Sequence, residues 1–420
     1  RPCRLDGSIP AADDLVSGIG TKRQALTGEQ ENTPGAASRR YNGPMDIDAF
    51  ATCPRGLESV LAAELELLGA PETRPAAGGV AFVTDRSGLY RANRFSRLAG
   101  RILRRVAAVK ARDGDGLYRS VKAVDWPEWF DVDRTFRIRL TARRSPLRSL
   151  NFATLKAKDA VCDRFREAAG RRPDVDPGGA EVSIHLFLEG RKGTAYLDTT
   201  GAPLFQRGWR AADVTAPLRE NLAAGMLALA GWEPGMPLMD PFCGGGTILI
   251  EAARRARGWP PGLERAFAFE HLADHDPALW ERVRSEPARE EVAEGPLLGS
   301  DRDAKALTAA RANAEAAGVA DAIEWRQSDA RELTGPAQSG GPGRVVTNPP
   351  YGERLPVKGG LSGLLQGVAE HWRTAIPGWE AAVLLPEAEA APGGLEARSV
   401  TPLANGDLPC RLHRLAIPAD

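Results

Sequence analysis

After about residue 205 the chain becomes a repeating alternation of short apolar runs and amphipathic stretches, and nothing else in it restricts the fold as strongly. The spacing predicts strands at 237–241, 296–301, 322–328, 343–347 and 380–385. It predicts helices at 216–230, 247–257, 303–317 and 361–375, with two more β-like runs near 396–403 and 409–416. Strands separated by helices build an α/β domain with a mostly parallel, doubly wound sheet. Ligands of such sheets bind in the crevice at the carboxyl ends of the strands. The residues at those ends therefore carry the functional reading.

The first end reads Pro237-Leu238-Met239-Asp240-Pro241-Phe242-Cys243-Gly244-Gly245-Gly246-Thr247. Three glycines between strand and helix permit a tight turn and close approach of a ligand to backbone. The run is neither GxGxxG nor a Walker A loop, so a phosphate cradle is poorly supported. Asp240 repels phosphate and suits a cation. S-adenosylmethionine, with its ammonium and sulfonium, fits; a glycine turn without a ligand is the plainer alternative. The second end, Leu297 to Asp303, places Asp301 where it can accept from ribose hydroxyls. Asp301 or Asp303 also suits the N-cap of the following helix. Asp301 lies 61 residues after Asp240, so about 258–295 is read as an insertion. The third end places Asp329 to accept from an adenine amine.

The fourth is Asn348-Pro349-Pro350-Tyr351. Two prolines end a strand and donate nothing. What remains is the Asn348 oxygen, backbone carbonyls and a flat ring. That set suits a planar group carrying an NH2, such as a nucleobase amine.

The first half reads differently. Strands are expected at Ile47–Thr52, Val80–Val83, Phe136–Leu140, Val182–Leu188 and Thr194–Asp198, the last two joined by a turn at Gly190–Gly193. Helices are expected at Glu58–Leu68, 88–105 and Leu155–Arg166. Residues 1–44 lack periodicity and read as a weakly ordered tail. Net charge is zero, yet residues 86–172 hold 23 Lys and Arg against 9 Asp and Glu. Such a block points to a polyanion, nucleic acid foremost. No run approaches the ~20 apolar residues of a membrane helix. The five cysteines are scattered, without a CxxC pair, which argues against structural zinc and for a reducing cytoplasm.

The ordered set Asp240–Thr247, Asp301, Asp329 and Asn348–Tyr351 resembles the class I S-adenosylmethionine-dependent amino-methyltransferases. Phe50–Glu58, Phe205–Arg210, Ala216–Ala223 and Gly352–Leu355 narrow the resemblance to the bacterial THUMP-containing RNA guanine-N2 methyltransferases, which act on 23S rRNA or tRNA. It covers roughly 45–415 and implies a ferredoxin-like domain at 45–110, an RNA-binding THUMP domain at 111–204 and a Rossmann-like methyltransferase domain at 205–420. Cys-Gly-Gly-Gly stands where the family usually has Cys-Gly-Ser-Gly. A second methyltransferase domain, fused in some members, is expected to be absent.

The resemblance implies cofactor contacts from Asp240, Pro241, Cys243, Gly244, Gly246, Thr247, Asp301, Asp329 and Pro217. It puts catalysis at Asn348, Pro349, Pro350 and Tyr351. Arg143, Arg144, Lys156, Lys158, Arg207 and Arg210 are the candidate RNA contacts. No metal is needed. A DNA or RNA adenine-N6 methyltransferase shares the Asn-Pro-Pro-Tyr chemistry, as does a protein-glutamine methyltransferase. A non-catalytic RNA-binding protein would not need acids at three strand ends.

Overall fold

The computed structural model describes residues 47–212, 217–287, 295–336, 341–351 and 360–419. The predicted tail 1–44, Ala216 and the Gly352–Leu355 segment lie outside them.

Seven strands form the first sheet: β1 (Ile47–Thr52), β2 (Glu72–Ala76), β3 (Gly79–Thr84), β4 (Arg101–Lys110), β5 (Phe136–Arg143), β6 (Val182–Glu189) and β7 (Lys192–Asp198). Their order is β2-β3-β1-β4-β7-β6-β5. Every pairing is antiparallel except β5 with β6. Helices α1 (Glu58–Leu67), α2 (Arg86–Phe95), α3 (Gly114–Lys122) and α4 (Leu150–Ala169) accompany it.

The helix expected at 88–105 is corrected here. Asp85 caps α2 by accepting from Gly88 N–H at 2.7 Å, and the helix stops at Phe95. Arg101–Lys110 is instead a strand, laddered to β1 on one side and β7 on the other. Its Ile102, Leu103 and Val109 are buried. Two ladders outweigh the helix propensity of Arg, Leu and Ala, because propensity is a weak local preference and pairing is not.

The second sheet holds β8 (Leu238–Asp240), β9 (Leu297–Asp301), β10 (Ile323–Gln327), β11 (Arg344–Thr347), β12 (Glu380–Pro386), β13 (Glu396–Asn405) and β14 (Leu408–Ala416). Their order is β10-β9-β8-β11-β12-β14-β13. The first five are parallel; β14 runs antiparallel to both β12 and β13. Helices α5 (Glu220–Leu229), α6 (Thr247–Ala256), α8 (Ala304–Ala316) and α9 (Gly360–Ala375) supply the connections. The expected doubly wound arrangement is present. Strand order reverses beside β8, so the crevice lies between the ends of β8 and β11.

The insertion read at about 258–295 contains α7 (Pro277–Ser285) and packs onto the first half of the chain. Phe269 stacks on Tyr90 with ring centroids 4.3 Å apart, and Trp280 meets Phe269 edge-on. Asp274 accepts from Arg86 and Arg104, and Glu286 pairs with Arg91. Part of the basic block is thus neutralised internally, and its free positive surface is smaller than the sequence count suggests.

Candidate active site

The four strand ends converge on the crevice. Asp240 ends β8 and is 1% exposed. Its Oδ1 accepts from Thr347 Oγ1 at 2.6 Å and from Phe242 N–H at 3.2 Å. The Thr347 bond spans the point where strand order reverses and joins the first and fourth motifs. Burial pushes the Asp240 carboxyl up to about 7, and nearby Asp301 adds to this.

The glycine turn is tied down at both flanks. Cys243 N–H donates to Ser300 O at 2.9 Å, and Gly244 N–H to Asp301 Oδ2 at 3.1 Å. Asn313 of α8 is fully buried; its Nδ2 donates to Gly245 O at 3.1 Å. Its Oδ1 accepts from the N–H groups of Ala211 and Ala212. Gly246 has φ of +80°, and a Cβ there would lie 2.7 Å from the Trp325 ring. Only glycine serves at that position. Pro241, Cys243 and Thr247 are buried around the turn, where Thr247 opens α6. Pro217 is exposed just ahead of α5.

Asp301 has Oδ2 on Gly244 and Oδ1 on Asp303 N–H at 2.9 Å. Burial raises its pKa. Asp303, not Asp301, caps α8. Asp329 is held by Arg331 through both oxygens, at 2.9 and 2.7 Å, and this bond pulls its carboxyl down to about 2. Its remaining lone pairs can still accept from an amine.

Asn348 leaves β11 beside Asp240. Its Oδ1 is buried and has no hydrogen-bond partner among the described residues. Buried polar atoms are nearly always paired, so an orphan at a strand end marks a place for a donor. Tyr351 is half-buried, and Asn405 Nδ2 donates to its hydroxyl at 2.8 Å. Burial pushes the phenol up to about 12. A buried carboxylate for a cation, an open glycine turn and an unpaired acceptor fit S-adenosylmethionine and an amine substrate.

One of the expected RNA contacts is overturned. The Arg207 side chain is 1% exposed. It donates to Glu251 from Nε at 3.2 Å, to Leu204 O and to Arg97 O. With a further bond from Nη2 to the second Glu251 oxygen, a guanidinium committed to four acceptors cannot reach phosphate. Arg210 is engaged only in part: Nε and Nη2 donate to Glu220 and Nη2 to Thr247 Oγ1, while its Nη1 is buried without a hydrogen-bond partner among the described residues. Lys156 and Lys158 are paired with Asp115 and Asp159. Arg143 and Arg144 are exposed, and no ion pair forms at either among the described residues; Arg144 has φ of +49°.

Sequence reasoning missed Thr347, Asn313, Arg331 and Asn405. The available signals were a polar residue in an apolar strand for Thr347 and an Asn amid helical alanines for Asn313. A cavity of about 510 Å³, bordered by Gly335, Pro342, Ile376 and Trp379, opens at the opposite ends of β11 and β12 and takes no part in this set.

Comparison with known proteins decides the family. Residues 48–103 match the RlmL ferredoxin-like domain, 111–198 the THUMP domain and 207–400 the RMKL-like methyltransferase domain. A "Putative RNA methyltransferase" of Synechocystis sp. is 36% identical over 367 residues, 86% of this chain and 95% of the relative. The chain belongs to the RMKL-like methyltransferases. It is an S-adenosylmethionine-dependent enzyme of this family, with ferredoxin-like, THUMP and Rossmann-like parts. The ribosomal RNA large subunit methyltransferase K/L of Syntrophotalea carbinolica is 39% identical over 378 residues. That match takes in 87% of this chain but 53% of the relative, so the chain spans about half its length. A solved "putative methyltransferase complexed with SAH" superposes with a TM-score of 0.79 at 28% identity, covering 90% of this chain and 99% of that one. No described helix is long and apolar enough to cross a membrane, and no His, Cys, Asp and Glu group that could hold a metal occurs among the described residues.

Proposed function

We propose that the chain methylates the exocyclic N2 of a guanine in structured RNA, ribosomal RNA before tRNA. The unpaired buried Oδ1 of Asn348 carries this reading, since it asks for an N–H donor next to the cofactor crevice. The THUMP match and the RNA methyltransferase relatives supply the polynucleotide.

Bound S-adenosylmethionine supplies an electrophilic methyl. The substrate amine is a poor nucleophile, because its lone pair is delocalised into the base. Asn348 Oδ1 and the Pro349 carbonyl accept its two N–H bonds, which favours a pyramidal nitrogen and stabilises the positive charge developing there. The displaced proton leaves to water. Pro349 and Pro350 stiffen the loop, so the acceptors need no reorganisation. Tyr351 stacks on the extruded base, a contact worth ~1–3 kcal/mol. Asp240, Asp301 and Asp329 hold the cofactor's cationic, ribose and adenine parts, and Pro241, Cys243, Gly244, Gly246, Thr247 and Pro217 line the space around it. Arg143 and Arg144 take phosphate.

Incubating the protein with labelled cofactor and RNA from cells lacking the modification, then digesting to nucleosides, tests this. N2-methylguanosine is expected; N6-methyladenosine, or label in protein alone, refutes the assignment.

The raised pKa of Asp240 gives a second expectation. Between the unfolded value near 3.8 and the folded value near 7, the native state keeps a proton that the unfolded chain has lost. This contribution therefore weakens the cofactor-free protein as pH rises across that window. A cationic ligand favours the ionised carboxyl, so cofactor affinity should climb toward pH 7 and then level off. Calorimetry in buffers of different ionisation heat should detect proton release on binding, and Asp240→Asn should abolish it. Affinity constant between pH 5.5 and 8, on the order of one unit either side of that pKa, would remove Asp240 from the cation's contacts.

A further inference from the structure

The segment Cys53-Pro54-Arg55-Gly56-Leu57-Glu58 carries much of the family resemblance, yet the chemistry above does not use it. It leaves β1 as a tight loop. Gly56 N–H donates to Glu58 Oε2 at 2.7 Å, and Gly78 N–H to Glu58 Oε1 at 2.9 Å. Gly56 has φ of +93°. Leu57 is fully buried, not in the core of its own sheet but among Leu222, Met226, Leu403 and Leu412 of the methyltransferase half.

The loop also covers the edge of the second sheet. β13 is the terminal strand, with one row of backbone groups facing away from β14. The Ala404 N–H donates to Arg55 O at 3.1 Å. Two residues earlier on the same row is Pro402, which has no N–H to satisfy. Gly56 lies so close to it that a Cβ would stand 1.9 Å from Pro402 O. Next to Ala404 is Asn405, whose Nδ2 holds the Tyr351 hydroxyl at 2.8 Å. A continuous path of direct contacts therefore runs from the ferredoxin-like loop, through one edge strand, to the ring beside Asn348.

We propose that Asn405 is a positioning residue for Tyr351, and that the Cys53–Glu58 loop sets Asn405 by fixing Ala404. The N-terminal half then does more than hold RNA: it keeps the stacking ring in register with Asn348. This rests on the reading of Tyr351 as the ring that stacks on the substrate base.

The experiment is a cycle on the full chain, with labelled S-adenosylmethionine and total RNA lacking the modification. Asn405→Ala and Tyr351→Phe should each lower kcat about fivefold to tenfold, the scale of one lost hydrogen bond. KM for RNA and calorimetric cofactor affinity should not move. The double variant should be no slower than Tyr351→Phe alone, since that change already removes the Asn405 bond along with the hydroxyl's contact to Cys410. Ala404→Pro, which deletes one outward N–H on an edge strand that tolerates proline, should lower kcat in the wild-type background and not in the Tyr351→Phe background. Additive losses overturn the proposal. So does a silent Asn405→Ala where Tyr351→Ala is crippled, and a silent Ala404→Pro removes the loop from the path. A silent Tyr351→Ala is a different failure: it refutes the stacking role itself.

Discussion

Asn348→Ala should lower methyl transfer by about 10²–10³-fold, the usual cost of deleting one preorganised polar contact to developing charge. The reason lies in what surrounds the side chain. Asn348 Oδ1 is buried and unpaired, and leaving such an acceptor unsatisfied costs about 1–3 kcal/mol in the free protein. The strand end holds it regardless, since Thr347 is anchored to Asp240 and the next two residues are prolines. An N–H donor relieves that cost only when the substrate amine arrives, and most fully as the nitrogen becomes cationic. The variant should therefore be at least as stable as the parent, bind cofactor equally well and lose kcat in single-turnover measurements. Transfer within threefold of the parent, well under one power of ten in rate, would sink the role.

The parts of the site that were legible in the sequence are those set by neighbouring residues. Each acid stands at the end of its own apolar run, and the Asn348 loop follows directly from β11. Strand and helix alternation gave the parallel sheet for the same reason. What was hidden depends on partners far along the chain. Thr347 and Asp240 are 107 residues apart, and Asn405 and Tyr351 are 54 apart. Arg101–Lys110 looks helical until both of its neighbouring strands are present. The charge of the basic block depends on Asp274 and Glu286, acids carried by an insertion 170 to 195 residues further along the chain from the arginines they meet. The Asp329–Arg331 pair is the exception. It is local, and a base two residues after a strand-end acid was there to be read.

Arg207 shows how far a correct motif can mislead about a residue. Phe205–Arg210 supported the family, and an arginine in an RNA enzyme invites a phosphate. In the fold its guanidinium lies between Glu251 of α6 and the carbonyls of Leu204 and Arg97, joining the two halves. Both partners of the ion pair are nearly inaccessible, at 1% and 2% side-chain exposure. Arg207→Ala leaves Glu251 buried with Arg97, 3.9 Å away, and the charge of Arg254 nearby to offset it. The expected loss is about 3–5 kcal/mol of stability, read as a lowered denaturant midpoint. RNA affinity per folded molecule should not change. Replacing the pair together, Arg207→Met with Glu251→Leu, should recover much of that loss, because the penalty comes from the stranded charge more than from the missing attraction. A phosphate contact would behave in the opposite way. Stability would hold, affinity would fall evenly across RNA sequences, and the salt dependence of binding would flatten by about one counterion.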